Sequence, residues 1–256
     1  MEHNTEMGTN KTGIDMSPIH SKKMLENSKN SIEKRQGKNS KKRAEETFDD
    51  NGSISSFDSI YLKEADPLGS VPLPGTVKGA VKSIMKMASG RHPEVFINKL
   101  GERLAFERSG VRIYEQLINK CEFADSVGGG SLRIPLENLE EFRDQEAEHF
   151  QMLVEAMRNL GADPTAQTPD ADASGVASSG LMKVIMDPRT SVSQSLEAML
   201  AIEMTDNAAW ELLIMLAKDM GFDEIAEKFQ TALNQEKVHL DQVQQWYQES
   251  VRAQLV

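Results

Sequence analysis

The sequence predicts an all-α protein: a four-helix bundle of two antiparallel hairpins joined by a long crossover, preceded by a disordered N-terminal tail. Three observations predict it. Apolar stripes at steps of three and four residues run over roughly 94–121, 136–160, 193–220 and 223–250, the period of helices with one buried face. No alternating pattern is long enough for a sheet. Turn chemistry then sorts the four stripes into two pairs. Three consecutive glycines in FADSVGGGSLRIP forbid helix between the first two, and Gly221 with Asp223 as cap makes a tight turn between the last two. Between the pairs lie residues 161–192, rich in Ala, Asp, Ser, Gly and Pro, with one apolar patch, LMKVIM, at 181–186. A helix of about 26 residues is about 39 Å long, and about 12 extended residues span that distance. The crossover can therefore lie along the bundle, with the second and third helices parallel.

The region before the bundle is of another kind. Residues 1–46 hold ten basic and seven acidic residues, and no aromatic precedes Phe48; such a composition cannot bury enough apolar surface to offset the entropy of ordering it. With the DDNGSISS and PLGSVPLPG segments, residues 1–74 read as tail and linker. The run Lys22–Arg43 has nine basic residues against Glu26 and Glu33, so the tail is either simply solvated or an arm for an anionic partner. Residues 75–92 read as a short amphipathic helix, with Val77, Val81, Ile84, Met85 and Ala88 on one face and Lys78, Lys82 and Lys86 on another. The bundle occupies 93–256, opening at Pro93, which suits a first helical turn.

Composition narrows the function. The whole chain has 29 basic and 40 acidic residues, a net charge of -11, and the portion beyond residue 46 is the acidic part. That balance argues against nucleic-acid binding by the bundle, which would draw its affinity from phosphate neutralisation. One cysteine, Cys121, excludes an internal disulfide framework and a four-cysteine metal site. No apolar run approaches the roughly 20 residues of a membrane span. The opening MEHNTEMGTNKTGIDM lacks the apolar core of a secretory signal, which makes the cytoplasm the expected compartment.

The informative feature is acid in the apolar seams. The first stripe reads Leu104, Glu107, Val111, Tyr114, Ile118; the second Phe142, Glu146, His149, Leu153. The third reads Leu196, Met199, Glu203, Asp206, Trp210, Leu213, and the fourth Phe229, Ala232, Glu236, His239, Val243, Trp246. An unpaired buried carboxylate is costly, so one acid on each of four core faces needs a common cause. Counted from the turns at 1.5 Å per residue, all four reach similar depth. Of five histidines only His149 and His239 lie in the stripes, each with Glu three residues before it. Positions i and i+3 share a helical face, so each Glu-x-x-His can bind one metal with both side chains. A Glu from each of two helices plus Glu-x-x-His from each of the other two is the carboxylate-bridged dimetal arrangement of helix bundles. Four carboxylates balance two divalent ions, and the oxygen-rich set with two imidazoles suits iron or manganese, with zinc admitted. No Lys or Arg is expected in the seams. The crowded acids should therefore repel one another without metal, so that Glu107→Gln would stabilise the metal-free fold.

These residues resemble the ferritin-like superfamily of di-iron bundles, in particular its bacterial rubrerythrin-type and ferritin-like branches. The resemblance covers roughly 94–250 and rests on Glu107 in LAFERSG, Glu146 and His149 in EAEH, Glu203 in AIEMTD, and Glu236 and His239 in EKVH. It implies Glu146 and Glu236 as bridges, His149 and His239 as ligands of one metal each, and Glu107 and Glu203 as terminal carboxylates. Asp206 stands where rubrerythrins carry a further acid and is a ligand or a neighbour of one. Tyr114 is either an ordinary core tyrosine or a hydrogen-bond donor beside the metals. The resemblance implies two iron ions, with O2 or peroxide as reactants, in a non-haem di-iron oxidoreductase of ferroxidase or peroxidase type that responds to oxidative stress. The cysteine-rich electron-transfer domain of rubrerythrins is absent from the sequence. Two alternatives stand beside this reading: an iron-storage shell, and a metal-binding scaffold that uses the basic tail for a partner. Because one chain holds all the ligands, a monomer or homodimer is expected rather than a shell.

Overall fold

The computed structural model describes residues 68–71, 92–127 and 134–255. The tail and most of the linker, the amphipathic helix at 75–92 apart from His92, and the triple glycine of the first turn lie outside the described residues. Among the described residues five α-helices follow in order, all within the unit Pro74–Val256. They are α1 (Pro93–Ser126), α2 (Leu136–Leu160), α3 (Pro169–Met186), α4 (Val192–Asp219) and α5 (Asp223–Arg252). Among the described residues there is no strand, and no helix is long and apolar enough to cross a membrane.

Local chemistry sets the ends. Pro93 opens α1, and Ser191 caps α4 in a reciprocal box with Gln194. Gly161 and Gly221 take left-handed backbone after α2 and at the α4–α5 turn, with φ of 80° and 69°. The cap expected at Asp223 is not there: Asp223 is the first residue of α5 and Phe222 precedes it without a side-chain cap. The acid sits in the first turn, where the helix dipole favours it.

The crossover differs from the sequence expectation, since 18 of its residues form α3. Thr168 caps this helix by accepting from Ala171 N, Pro169 begins it, and Asp170 and Asp172 lie in its first turn. It was illegible as a stripe because its buried side consists of little more than Pro169, Ser178 and Ile185. α3 packs on α1 and α4 and is tied to α1 at both ends. At the start, Asp170 N donates to Asn98 Oδ1 and Lys99 pairs with Asp170 at 2.8 Å. There, a Cβ on Gly101 would strike the Thr168 side chain. At the far end, Lys120 Nζ donates to the Asp187 carbonyl, Thr190 Oγ1 and Ser195 Oγ.

Those contacts fix directions. α3 runs alongside α1 in the same sense, and α4 returns antiparallel to α1, with Tyr114 meeting Glu203 and Arg103 meeting Asp206. Along all four long helices the buried residues fall into three layers. One apolar layer contains Tyr114, Leu139, Phe142, Leu196, Met199, Val243 and Trp246. The other contains Leu100, Leu153, Met157, Trp210, Leu213 and Phe229. Between them lies a layer of acids and imidazoles.

Candidate metal centre

All six candidate ligands meet in that middle layer. Glu107, Glu203, Glu236, His149 and His239 are at most 1% exposed, and Glu146 is 3% exposed. Glu107, Glu146, His149 and Glu236 offer donor atoms all within 4.8 Å of one another; so do Glu146, Glu203 and His239, and so do Glu203, Asp206 and Glu236. Glu146 belongs to both groups that contain an imidazole. Glu236 reaches both imidazoles: its Oε1 lies 2.7 Å from His149 Nδ1 and its Oε2 lies 3.1 Å from His239 Nδ1. The two rings are 6.3 Å apart between centroids, with the carboxylates gathered on their Nδ1 edges.

Four residues that sequence reasoning missed complete the layer. Arg103 is 2% exposed, lies 3.1 Å from Glu107 through Nε and 2.5 Å from Asp206 through Nη1, and stacks over the Phe106 ring. A cation therefore does occupy the seam, against expectation. The signal was in the spacing: 103, 107, 110, 114, 117 and 121 alternate four and three, so the inner stripe of α1 includes Arg103 and Gly110, whereas Val111 is only half-buried. Gly110 is the second missed residue. A Cβ there would collide with the Glu146 carboxylate, so the bare backbone of α1 is the cradle in which this acid rests. The third and fourth are Gln145 and Gln235, each accepting a hydrogen bond from an imidazole, at 2.7 Å from His239 and 2.9 Å from His149.

Tyr114 and Asp206 find definite places. The Tyr114 hydroxyl donates to Glu203 Oε1 at 2.6 Å. Asp206 faces Arg103 while remaining within reach of Glu203 and Glu236. Asn207 Nδ2 donates to the carbonyls of Glu203 and Glu236, tying α4 to α5 at this depth. Trp210 packs edge-on against His149. Cys121 is buried, and burial pushes its thiol up to about 12.

Charge explains the protonation of the layer. Burial, reinforced by the other carboxylates, drives Glu146 and Glu236 well above the usual carboxylate range. Burial and then Asp206 take Glu203 to about 8. Burial takes Asp206 to about 7 against the pull of Arg103. Glu107 behaves oppositely: burial raises it, but His149 and Arg103 outweigh burial and hold it low. Burial and the neighbouring His149 depress His239 to about 3, while Glu107 keeps His149 raised in spite of burial.

The layer fits a pair of cations. Glu107 Oε2 and Glu203 Oε2 are buried without a hydrogen bond, although buried polar atoms ordinarily have one, while Glu107 Oε1, Asp206 Oδ1 and Glu236 Oε1 are held by the Arg103 and His149 ion pairs. Five carboxylates against Arg103 leave a formal -4, which two divalent ions neutralise. Counting Arg103 and Asp206 together thus keeps the balance expected from four acids alone. Residues 136–252 match the family model for the Ferritin-like domain. That stretch spans α2 to α5, and α1 brings Glu107, Arg103, Gly110 and Tyr114 to it from outside. No curated protein and no solved structure matches the chain.

Proposed function

We propose that this chain, which belongs to the ferritin-like superfamily, holds two divalent metal ions, iron in the first instance, and oxidises Fe(II) at the expense of O2 or peroxide. The observation that carries the proposal is the buried layer in which two Glu-x-x-His pairs and two further glutamates converge, with Glu107 Oε2 and Glu203 Oε2 left without a hydrogen bond. Glu107, Glu146, His149 and Glu236 would hold one ion, and Glu146, Glu203, Glu236 and His239 the other, with Glu146 and Glu236 touching both. A bound pair of irons supplies two electrons to O2 or peroxide. The protein's part is to bind, orient and exclude water. Two apolar layers close the centre from both ends, so the carboxylates exert their full charge in a low dielectric. Arg103 offsets the excess acid and, after His149, helps keep Glu107 ionised. Tyr114 holds one Glu203 oxygen by its hydroxyl proton and leaves the other turned toward His239.

Because one chain supplies every ligand, the geometry favours a self-contained oxidoreductase over a storage shell or a scaffold. Anaerobic titration with Fe(II) should reach two ions per chain, and admitting O2 should oxidise them. A stoichiometry near zero would remove the proposal. A particle eluting above roughly 300 kDa on size exclusion would favour the shell. Salt-sensitive partner binding lost on deleting residues 1–46 would favour the scaffold.

A further inference from the structure

The two imidazoles are held across the bundle rather than along their own helices. His239 of α5 donates from Nε2 to Gln145 of α2, and His149 of α2 donates from Nε2 to Gln235 of α5. Each glutamine immediately precedes the glutamate of its own Glu-x-x-His, so the motif in both helices is Gln-Glu-x-x-His: QEAEH and QEKVH. A residue adjacent to an inward glutamate is turned about 100° around the helix, toward the neighbouring helix. From there its amide meets the outer edge of that neighbour's imidazole. The Gln145 amide is itself oriented, since its Nε2 donates to Glu141 Oε1 at 3.2 Å. That leaves the carbonyl oxygen, an acceptor only, for His239. Both glutamines are half-buried while both histidines are fully buried, so the amides also separate the rings from solvent.

From this crossed pair we infer that Gln145 and Gln235 are positioning residues for the metal centre, each fixing the imidazole on the opposite helix with its proton on Nε2 and its Nδ1 lone pair toward the carboxylates. The inference rests on the dimetal reading above. A ligating histidine ordinarily donates its other N–H to an acceptor that sets its tautomer and ring angle, and loss of that acceptor typically costs 10- to 100-fold in metal affinity. Here the consequence is specific: the acceptor for one Glu-x-x-His is carried by the other, so the two half-sites are interlocked.

The test uses the full chain and Zn(II), which is redox-silent and diamagnetic, titrated in competition with a chromophoric chelator. Gln145→Leu and Gln235→Leu should each weaken one of the two ions by 10- to 100-fold while helical content stays at the wild-type level. Gln145→Glu, which retains an acceptor, should restore affinity. Coupling should follow the crossing, with Gln145→Leu non-additive with His239→Ala and additive with His149→Ala. In the Zn(II)-loaded protein, nitrogen-detected NMR of both imidazoles should show the proton on Nε2. Two Zn(II) ions bound at wild-type affinity by both leucine variants, coupling of Gln145 to His149 instead, or protons on Nδ1 would overturn the inference with the dimetal reading intact. A wild-type chain that takes up no Zn(II), Co(II) or Fe(II) would bring down both.

Discussion

The two hairpins of the bundle contribute the same pattern of candidate ligands and hold it differently. In each, one helix offers a lone seam glutamate and the other a Gln-Glu-x-x-His. In the first hairpin the lone acid, Glu107, faces a guanidinium one turn earlier on its own helix, 3.1 Å away. In the second, Glu203 faces the neutral phenol of Tyr114 at 2.6 Å and has a second acid, Asp206, one turn later. The first acid is therefore held charged, and the second is pushed to about 8. Equal spacing in sequence has produced two unequal half-sites: His149 and Arg103 hold Glu107 low, whereas burial and Asp206 push Glu203 up against the opposing hydrogen bond from Tyr114. On the proposed dimetal reading, an ion on the Glu107 side would meet a carboxylate already ionised, whereas an ion on the Glu203 side would have to displace a proton.

The largest effect should fall where the halves are joined. Glu236→Ala or Glu146→Ala removes an acid shared between donor groups, so both should lose paired binding altogether. His149→Ala should leave a single ion. Elemental analysis after loading would separate these outcomes, and two ions retained by Glu236→Ala would refute its bridging role.

Next in size is the contrast between the two supports. Arg103→Leu strands Glu107 and Asp206 in the interior, and breaking a buried ion pair costs about 3–5 kcal/mol. Tyr114→Phe leaves one buried oxygen without its donor, at about 1–3 kcal/mol. Urea denaturation of the metal-free variants should rank them in that order, and the reverse ranking would show that Arg103 is incidental to the layer.

Gly110 permits a smaller, cleaner test. Alanine is favoured over glycine inside a helix by about 1 kcal/mol, yet its Cβ would displace the Glu146 carboxylate. Gly110→Ala should thus lower metal affinity about tenfold, equivalent to about 1.4 kcal/mol, with metal-free stability unchanged or higher. Gly101→Ala, whose Cβ would strike the Thr168 side chain, should lower stability and leave metal binding alone. Calorimetric titration and melting together read both.

What the sequence made legible follows from what leaves a one-dimensional signal. The four long helices were legible because their apolar stripes are long, and the bounds of α2 fall where the pattern placed them. Glutamate and histidine on an apolar stripe announce themselves by violating it, so all six candidates could be named and all six converge. α3 left only the short apolar patch at 181–186, because the rest of it is built of small residues without a stripe; Thr168 caps it and it docks on α1. Arg103 was hidden because arginine at a helix position ordinarily reads as solvated, and only the shift of the α1 stripe from Val111 to Gly110 reveals that it points inward. The glutamines were hidden for another reason: their partners lie 94 and 86 residues away, and no local rule pairs them.

The smallest expected effect concerns protons, and here the structure reverses an expectation. With no cation in the seam, Glu107→Gln would relieve repulsion; with Arg103 beside it, that substitution removes a charge the fold already balances. The crowded acids are on the other side. Glu203 rises from 4.5 to about 8 and Asp206 from 3.8 to about 7, so the folded metal-free chain holds protons there that the unfolded chain has released. Stability must fall as pH rises across such an interval, by up to about 1.4 kcal/mol per pH unit for each group. His149, raised above 6.5, acts in the same direction as it loses its proton. His239, depressed from 6.5 to about 3, acts oppositely, but only below its unfolded value. The window in which no histidine opposes the trend is therefore about pH 6.5 to 8, and across it the metal-free protein should lose stability. Metal affinity should rise over the same window, because binding must expel those protons. Glu203→Gln should flatten the stability slope and raise the metal-free melting temperature at pH 8 by a few degrees, a shift of about 2–4 °C for each kcal/mol in a domain of this size. Glu107→Gln should lower it. Melting curves of the two glutamine variants at pH 6.5 and 8 decide the matter, and equal shifts in both would mean that the hairpins are electrostatically equivalent after all.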